Sequence, residues 1–100
     1  MTAYHIVRFR VKPAREEEFL KNNRGGERLA MPGFRRGSMI KTGDHQYCFV
    51  GEWNAFDDIV AARPQMSSIL DLFRDTLEDL GGGLGVTDPV SGEVVIEVER

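Results

Sequence analysis

Phe34-Arg35-Arg36-Gly37-Ser38-Met39-Ile40-Lys41-Thr42-Gly43-Asp44-His45-Gln46-Tyr47-Cys48-Phe49-Val50-Gly51-Glu52-Trp53 is the stretch that decides the fold. Phe34 to Lys41 and Gln46 to Trp53 are rich in β-branched, aromatic and other apolar residues. Thr42 to His45 between them are turn-forming polar residues. The reading is a central β-hairpin, and helical patterns flank it on both sides.

Before the hairpin, Tyr4 to Val11 alternates and reads as a strand. His5, Val7, Phe9 and Val11 lie on one face, with Tyr4, Ile6, Arg8 and Arg10 on the other. Pro13 removes a ladder donor and suits a helix start, so a helix is predicted at once. Glu16, Glu17 and Glu18 fall in its first turns, where carboxylates oppose the positive end of the dipole, and Phe19 and Leu20 supply its apolar side. Gly25-Gly26 weakens or stops it, a last helical turn through Glu27 and Leu29 stays open, and Pro32-Gly33 turns the chain into the hairpin.

After the hairpin, Asn54 is the predicted N-cap of a short helix carrying Phe56, Ile59 and Val60, which Arg63-Pro64 breaks or bends. From Gln65 a longer helix is predicted, with Met66, Ile69, Leu70, Phe73, Leu77 and Leu80 on one stripe. Gly81, Gly82, Gly83 and Gly85 end it. Asp88 to Gly92 reads as a turn, and Glu93 to Glu99 as a last strand alternating Val94, Ile96 and Val98 with glutamates.

The order strand, helix, strand, strand, helix, strand is that of a ferredoxin-like α+β unit, in which two helices cover one face of a four-stranded antiparallel sheet. One such domain accounts for residues 1–100. The uncovered face is not polar, since Ile6 and Tyr4 lie opposite Val7 and Phe9, and Cys48 and Val50 lie opposite Tyr47, Phe49 and Trp53. Apolar residues on both faces call for a second cover, and the same sheet from another copy supplies it, which predicts a homodimer.

A formal net charge of −3 gives no footprint for nucleic acid or an anionic membrane surface. No apolar run reaches the roughly 20 residues of a membrane span, and Met1 to His5 lacks the regions of a signal peptide, so the expected location is cytoplasmic. The single cysteine, Cys48, has no internal partner and reads as a small buried hydrophobe.

No metal-ligand spacing joins His5, His45 and Cys48, so metal catalysis is not expected. His45 falls in the hairpin loop and is read as solvated. His5, on the strand face of Val7 and Phe9, is either a general base near neutral pH or a satisfied structural residue. Gly81 to Gly85 follows a helix and has no lysine in the place a phosphate loop needs, so it is a helix stop. Glu16 to Glu18 read as a solvated helix start, and Arg35-Arg36 as solubilising or as a grip on an anion. Arg8, set between apolar strand positions, snorkels to solvent or meets an anionic partner. Trp53 shares a face with Tyr47 and Phe49 and either packs the core or lines an apolar pocket; Gly51 on that face leaves space beside the rings.

Val7-Arg8-Phe9-Arg10-Val11-Lys12-Pro13 with Glu16 to Leu20, the turn Met31-Pro32-Gly33-Phe34, Gly51-Glu52-Trp53 with Phe56, and Arg63-Pro64-Gln65-Met66 together resemble the antibiotic biosynthesis monooxygenase domain family, a branch of the dimeric α/β barrel superfamily. The resemblance covers most of the chain. It implies a dimeric α/β barrel and a substrate cavity lined by the tryptophan that closes the third strand, here Trp53. The haem-degrading branch is disfavoured, because Gln65-Met66 and Ile6 stand where that branch has its histidine and asparagine. Gln65 also replaces a histidine frequent in members similar to quinol oxygenases. The implied activity is oxygenation of a small quinol or anthrone without metal, flavin or other cofactor. His5 is the candidate base, Arg8 the candidate for stabilising the anion, and Trp53, Tyr47 and Phe49 the candidate wall. Two other readings stand beside it: a non-enzymatic homodimer that binds a small apolar ligand or serves a stress or regulatory role, and an isomerase of a small lactone or enol.

Overall fold

A computed structural model describes residues 1–100. Strand β1 spans Ala3–Arg10, β2 Phe34–Gly43, β3 Gln46–Trp53 and β4 Asp88–Glu93, in one antiparallel sheet of order β2-β3-β1-β4. Helices α1 (Glu16–Asn22), α2 (Phe56–Ala61) and α3 (Arg63–Asp71) lie between the strands in the ferredoxin-like order. The hairpin forms in the place predicted, with Phe34 opposite Trp53, Met39 opposite Phe49 and Lys41 opposite Tyr47. β2 runs two residues further than expected, to Gly43, through an irregularity between Lys41 and Gly43. The turn is therefore tighter, and His45 takes the positive φ of 59° it requires.

Pro13 opens a 3-10 turn, Pro13–Arg15, and α1 follows with Glu16, Glu17 and Glu18 in its first turn, as the dipole argument requires. A second 3-10 turn, Glu27–Ala30, lies between Gly26 and Met31. Asn54 does not cap α2. Its Oδ1 accepts from Arg35 Nε at 2.7 Å, and the extended Ala55 takes the cap position with no side-chain bond. The break at Arg63-Pro64 occurs at Ala62, where α2 ends and α3 begins with its proline in the first turn.

Two expected elements are corrected. The long helix from Gln65 stops at Asp71, and a 3-10 turn, Arg74–Thr76, leads Leu77 into an antiparallel bridge with Val11. Lys12 N donates to Thr76 O and Glu78 N to Arg10 O, both at 2.8 Å, so the end of the first strand captures backbone that helical periodicity assigned to α3. The last strand is Asp88–Glu93, the segment read as a turn, and not Glu93 to Glu99. β1 starts at Ala3, which pairs with Glu93, so the chain offers no strand opposite the residues beyond it; one further bond, Val94 N to Thr2 O at 2.9 Å, ends the ladder. Pro89 is tolerated because β4 is an edge strand, on which a missing donor costs no internal hydrogen bond.

The odd-numbered residues of β1 and β3 face the helices and build a core in two lobes. One joins Phe9, Val11, Phe19, Tyr47, Phe73 and Leu77, the other Ala3, Met31, Trp53, Ile59 and Ala62, and Ile69 of α3 packs on both. Phe9, Phe19 and Phe73 meet edge to face with centroids 5.5 to 5.9 Å apart, the arrangement favoured by the ring quadrupoles. The even-numbered residues face away. Ile6, Val50 and Val90 lie on adjacent strands there, and Val90 is 62% exposed.

Candidate functional site

Between the two lobes, against the sheet and under α3, lies an apolar cavity of about 300 Å³. Phe9 and Phe73 line it from one lobe, Met31 and Trp53 from the other, and Met66, Ile69 and Leu70 of α3 line its helix side. This explains why α3 has an apolar stripe but no fully buried residue: Met66, Ile69 and Leu70 are wall, not core.

The floor is built from an unusual local pairing. Gly37 of β2 and Gly51 of β3 stand directly opposite each other. A Cβ on Gly51 would lie 3.2 Å from Trp53 Nε1 and 3.4 Å from both Phe34 and Phe49, and one on Gly37 would strike the Phe49 ring. The room expected beside Gly51 is thus occupied by the three rings, which settle onto the bare backbone. Phe34 and Trp53 meet edge to face at 5.2 Å.

His5 enters this cavity from β1. Its Nδ1 lies 2.5 Å from Oγ of Ser91, its register partner on β4, while Nε2 has no partner in the protein. Burial, with the nearby positive charge of Arg63, holds the imidazole pKa below its usual value, so the ring is neutral at pH 7. With its proton on Nδ1, the ring donates to Ser91 Oγ and keeps the Nε2 lone pair for a ligand. Arg28 and Arg63 are the charged residues of the lining, and Ser67 and Thr87 add hydroxyls. No three His, Cys, Asp or Glu side chains are grouped so as to hold a metal ion.

Of the residues singled out from the sequence, His5, Trp53 and Phe49 line the cavity together. Arg8 does not. Its even position puts it on the outer sheet face, where its Nε and Nη2 donate to Asp88 Oδ2 at 3.2 and 3.0 Å. Tyr47 belongs to the core lobe beneath the cavity, and its hydroxyl donates to Glu16 Oε2 in a short hydrogen bond. Glu16 also pairs with Lys41 at 3.0 Å and His45 Nδ1 at 2.9 Å. Neither Glu16 nor His45 is therefore merely solvated, because together they tie α1 to the hairpin loop. Arg28, Arg63 and Ser91 escaped the sequence reading. Ser91 carried no signal there because its segment read as a turn, and an arginine in a loop or at a helix start looks like any solvated charge.

No family model and no curated protein matches the chain. Its fold, however, is that of the antibiotic biosynthesis monooxygenases. SnoaB of Streptomyces nogalater, a cofactor-independent oxygenase, superposes with a TM-score of 0.68 at 16% identity, over 99% of this chain and 98% of its own. The ActVA-Orf6 monooxygenase of Streptomyces coelicolor, solved with nanaomycin D, gives 0.72 at 16% identity over 98% and 91%. A candidate antibiotic biosynthesis monooxygenase of Nitrosomonas europaea gives 0.74 at 15% over 94% and 90%. At such identity the likeness is one of shape, and the chemistry has to be argued from the cavity.

Proposed function

We propose that this protein is a cofactor-independent monooxygenase of a small aromatic substrate, a quinol or an anthrone, working as a homodimer. One observation carries the reading: a neutral histidine with a free Nε2 stands in an apolar cavity walled by Trp53, Phe49 and Phe34. The comparisons support it, since the fold is that of enzymes whose described activity is oxygenation.

For an anthrone the steps balance without an added reductant. His5 Nε2 takes a proton from the acidic CH₂, leaving an electron-rich carbanion. The carbanion gives one electron to dioxygen, and the radical and superoxide combine to form a C–O bond. The peroxide is protonated by the imidazolium. Loss of the second C–H proton then breaks the O–O bond, leaving a carbonyl and water: CH₂ + O₂ gives C=O + H₂O. Apolar walls keep water from the radical pair, and the protein's part is to orient, desolvate and move the proton.

The dimer joins the outer sheet faces. Ile6, Val50, Cys48 and Ile40 form an apolar patch there. The tail beyond β4 leaves Val95, Ile96 and Val98 at 79 to 91% exposure, a surface that a lone chain does not bury and a second copy would.

The test is oxygen uptake by purified, metal-free protein with a panel of hydroquinones and anthrones, beside Trp53→Phe and His5→Gln. Uptake above the no-protein control that falls in both variants is expected. Saturable binding without uptake would replace the oxygenase with a ligand-binding protein, and rearrangement of a lactone or enol without oxygen would make it an isomerase.

A further inference from the structure

The cavity is positive in a chain that is negative. Sixteen residues line it, and among them the only charges are Arg28 and Arg63, with no Asp or Glu, although the whole chain carries −3. Five other arginines, Arg8, Arg15, Arg35, Arg36 and Arg74, are ion-paired to carboxylates. Arg28 and Arg63 have no such partner, nor do Arg10, Arg24 and Arg100, but of these five only Arg28 and Arg63 line the cavity.

Arg28 is held in place all the same. Its Nη2 donates to Asn23 Oδ1 at 2.9 Å, and Asn23 Nδ2 donates to Phe19 O at 2.8 Å at the end of α1. Its guanidinium stacks 4.0 Å above the Phe49 ring. Stacking and one neutral hydrogen bond hold the half-buried guanidinium in place, and its remaining donors are accessible to a ligand. Phe49 and Gly51 are two residues apart on β3, and Gly51 pairs with His5. The strand position beneath Arg28 is thus about 7 Å along the sheet from that of His5. A fixed anion on Arg28 and a proton on His5 would therefore belong to different atoms of one ligand.

We propose that the cavity selects an aromatic ligand bearing a carboxylate, bound by Arg28 with Arg63 adding to the positive field. This rests on the reading of the cavity as a substrate site and narrows its substrate class: the carboxylate anchors one end of the ring system while His5 faces the reacting carbon. A permanent anion at Arg28 distinguishes such a ligand from a neutral quinol of the same shape.

Trp53 is the only tryptophan and lies in the cavity wall, so its fluorescence reports occupancy directly. The experiment titrates wild-type protein with anthraquinone-2-carboxylate and with anthraquinone-2-carboxamide, and repeats both with Arg28→Met and Arg63→Met, each checked by circular dichroism. The carboxylate is expected to bind about tenfold or more tightly than the amide, the gain typical of a charge-assisted hydrogen bond. Arg28→Met should erase that preference and leave amide affinity within about twofold, with a smaller loss of preference in Arg63→Met. Equal affinities in the wild type overturn the carboxylate, as does an Arg28→Met variant that folds but loses both ligands alike. Binding of neither ligand overturns the cavity as a site, and the oxygenase reading with it. If Arg28→Met does not fold, the wild-type pair and the exposed Arg63 decide.

Discussion

His5 Nδ1 and Ser91 Oγ, from residues 86 positions apart, meet at 2.5 Å across the β1–β4 ladder. The serine thereby fixes which imidazole nitrogen faces the cavity. Activity that needs neutral His5 should hold down to a pH below the ordinary histidine value of 6.5 and fall on further acidification, because burial and Arg63 depress the pKa. His5→Gln should lower kcat by about 10² or more, the usual worth of a general base. Ser91→Ala should lower kcat by about tenfold, less than loss of the base itself, with KM nearly unchanged. Oxygen-uptake profiles from pH 5 to 9 check all three, and an acid limb unchanged in His5→Gln would exclude His5 as the base.

Glu16 gives the structure a defined acid sensitivity. The Tyr47 hydroxyl, Lys41 and His45 hold its pKa at about 2, against an ordinary 4.5. Between those values the unfolded chain takes up a proton that the native carboxylate refuses. The stabilisation is therefore complete above pH 4.5 and is lost as pH falls toward 2. Glu16→Gln should melt at lower temperature than wild type at pH 7, and the gap should close over that window in melts followed by circular dichroism. A gap constant with pH would assign the effect to packing.

Gly37 is predicted to be intolerant of even one methyl group. Its Cβ would strike the Phe49 ring that carries Arg28. Gly37→Ala should cost about 1–3 kcal/mol in urea unfolding, the range for overpacking, and should weaken aromatic ligands by displacing the cavity floor. Normal stability and normal binding would show that β2, an edge strand, simply moves aside.

The outer sheet face makes the assembly testable by mass. Light scattering of the eluting protein is expected to give twice the 11.3 kDa of one chain. Ile6→Asp, which sets an unpaired charge in the apolar patch, should return it to one chain while the far-UV circular dichroism stays native. A wild-type protein that elutes as a single chain would leave the patch and the tail without this partner.

The hairpin, β1 and the helix after Pro13 were legible because each is fixed by neighbours in sequence: alternation over eight residues, a turn between two apolar runs, a proline followed by three glutamates. Phe49 and Trp53 were legible as one wall because β alternation sets them on one face of β3, but that His5 shares this face took the register between β1 and β3. Arg8 was nominated beside His5 although alternation sets the two on opposite faces of β1, and in the structure it pairs with Asp88 on the outer face. What local pattern could not carry was competition between distant segments. Leu77 keeps the helical spacing of Phe73, yet backbone bonds to Arg10 and Lys12 draw it into the sheet. Val94 to Val98 alternates better than Asp88 to Glu93, but β1 begins at Ala3 and has partners only for the latter.

The sequence by itself determined the kinds and order of elements, and with them the ferredoxin-like sheet, because periodicity and turn chemistry act over a few residues. Only the tertiary structure decided which apolar residues are core and which are cavity wall, because the same methyl and aromatic groups serve both. It likewise decided that Ser91 holds His5 and that Arg28 stands over Phe49 without a carboxylate, since these meetings depend on register between strands and on loops far apart in the chain.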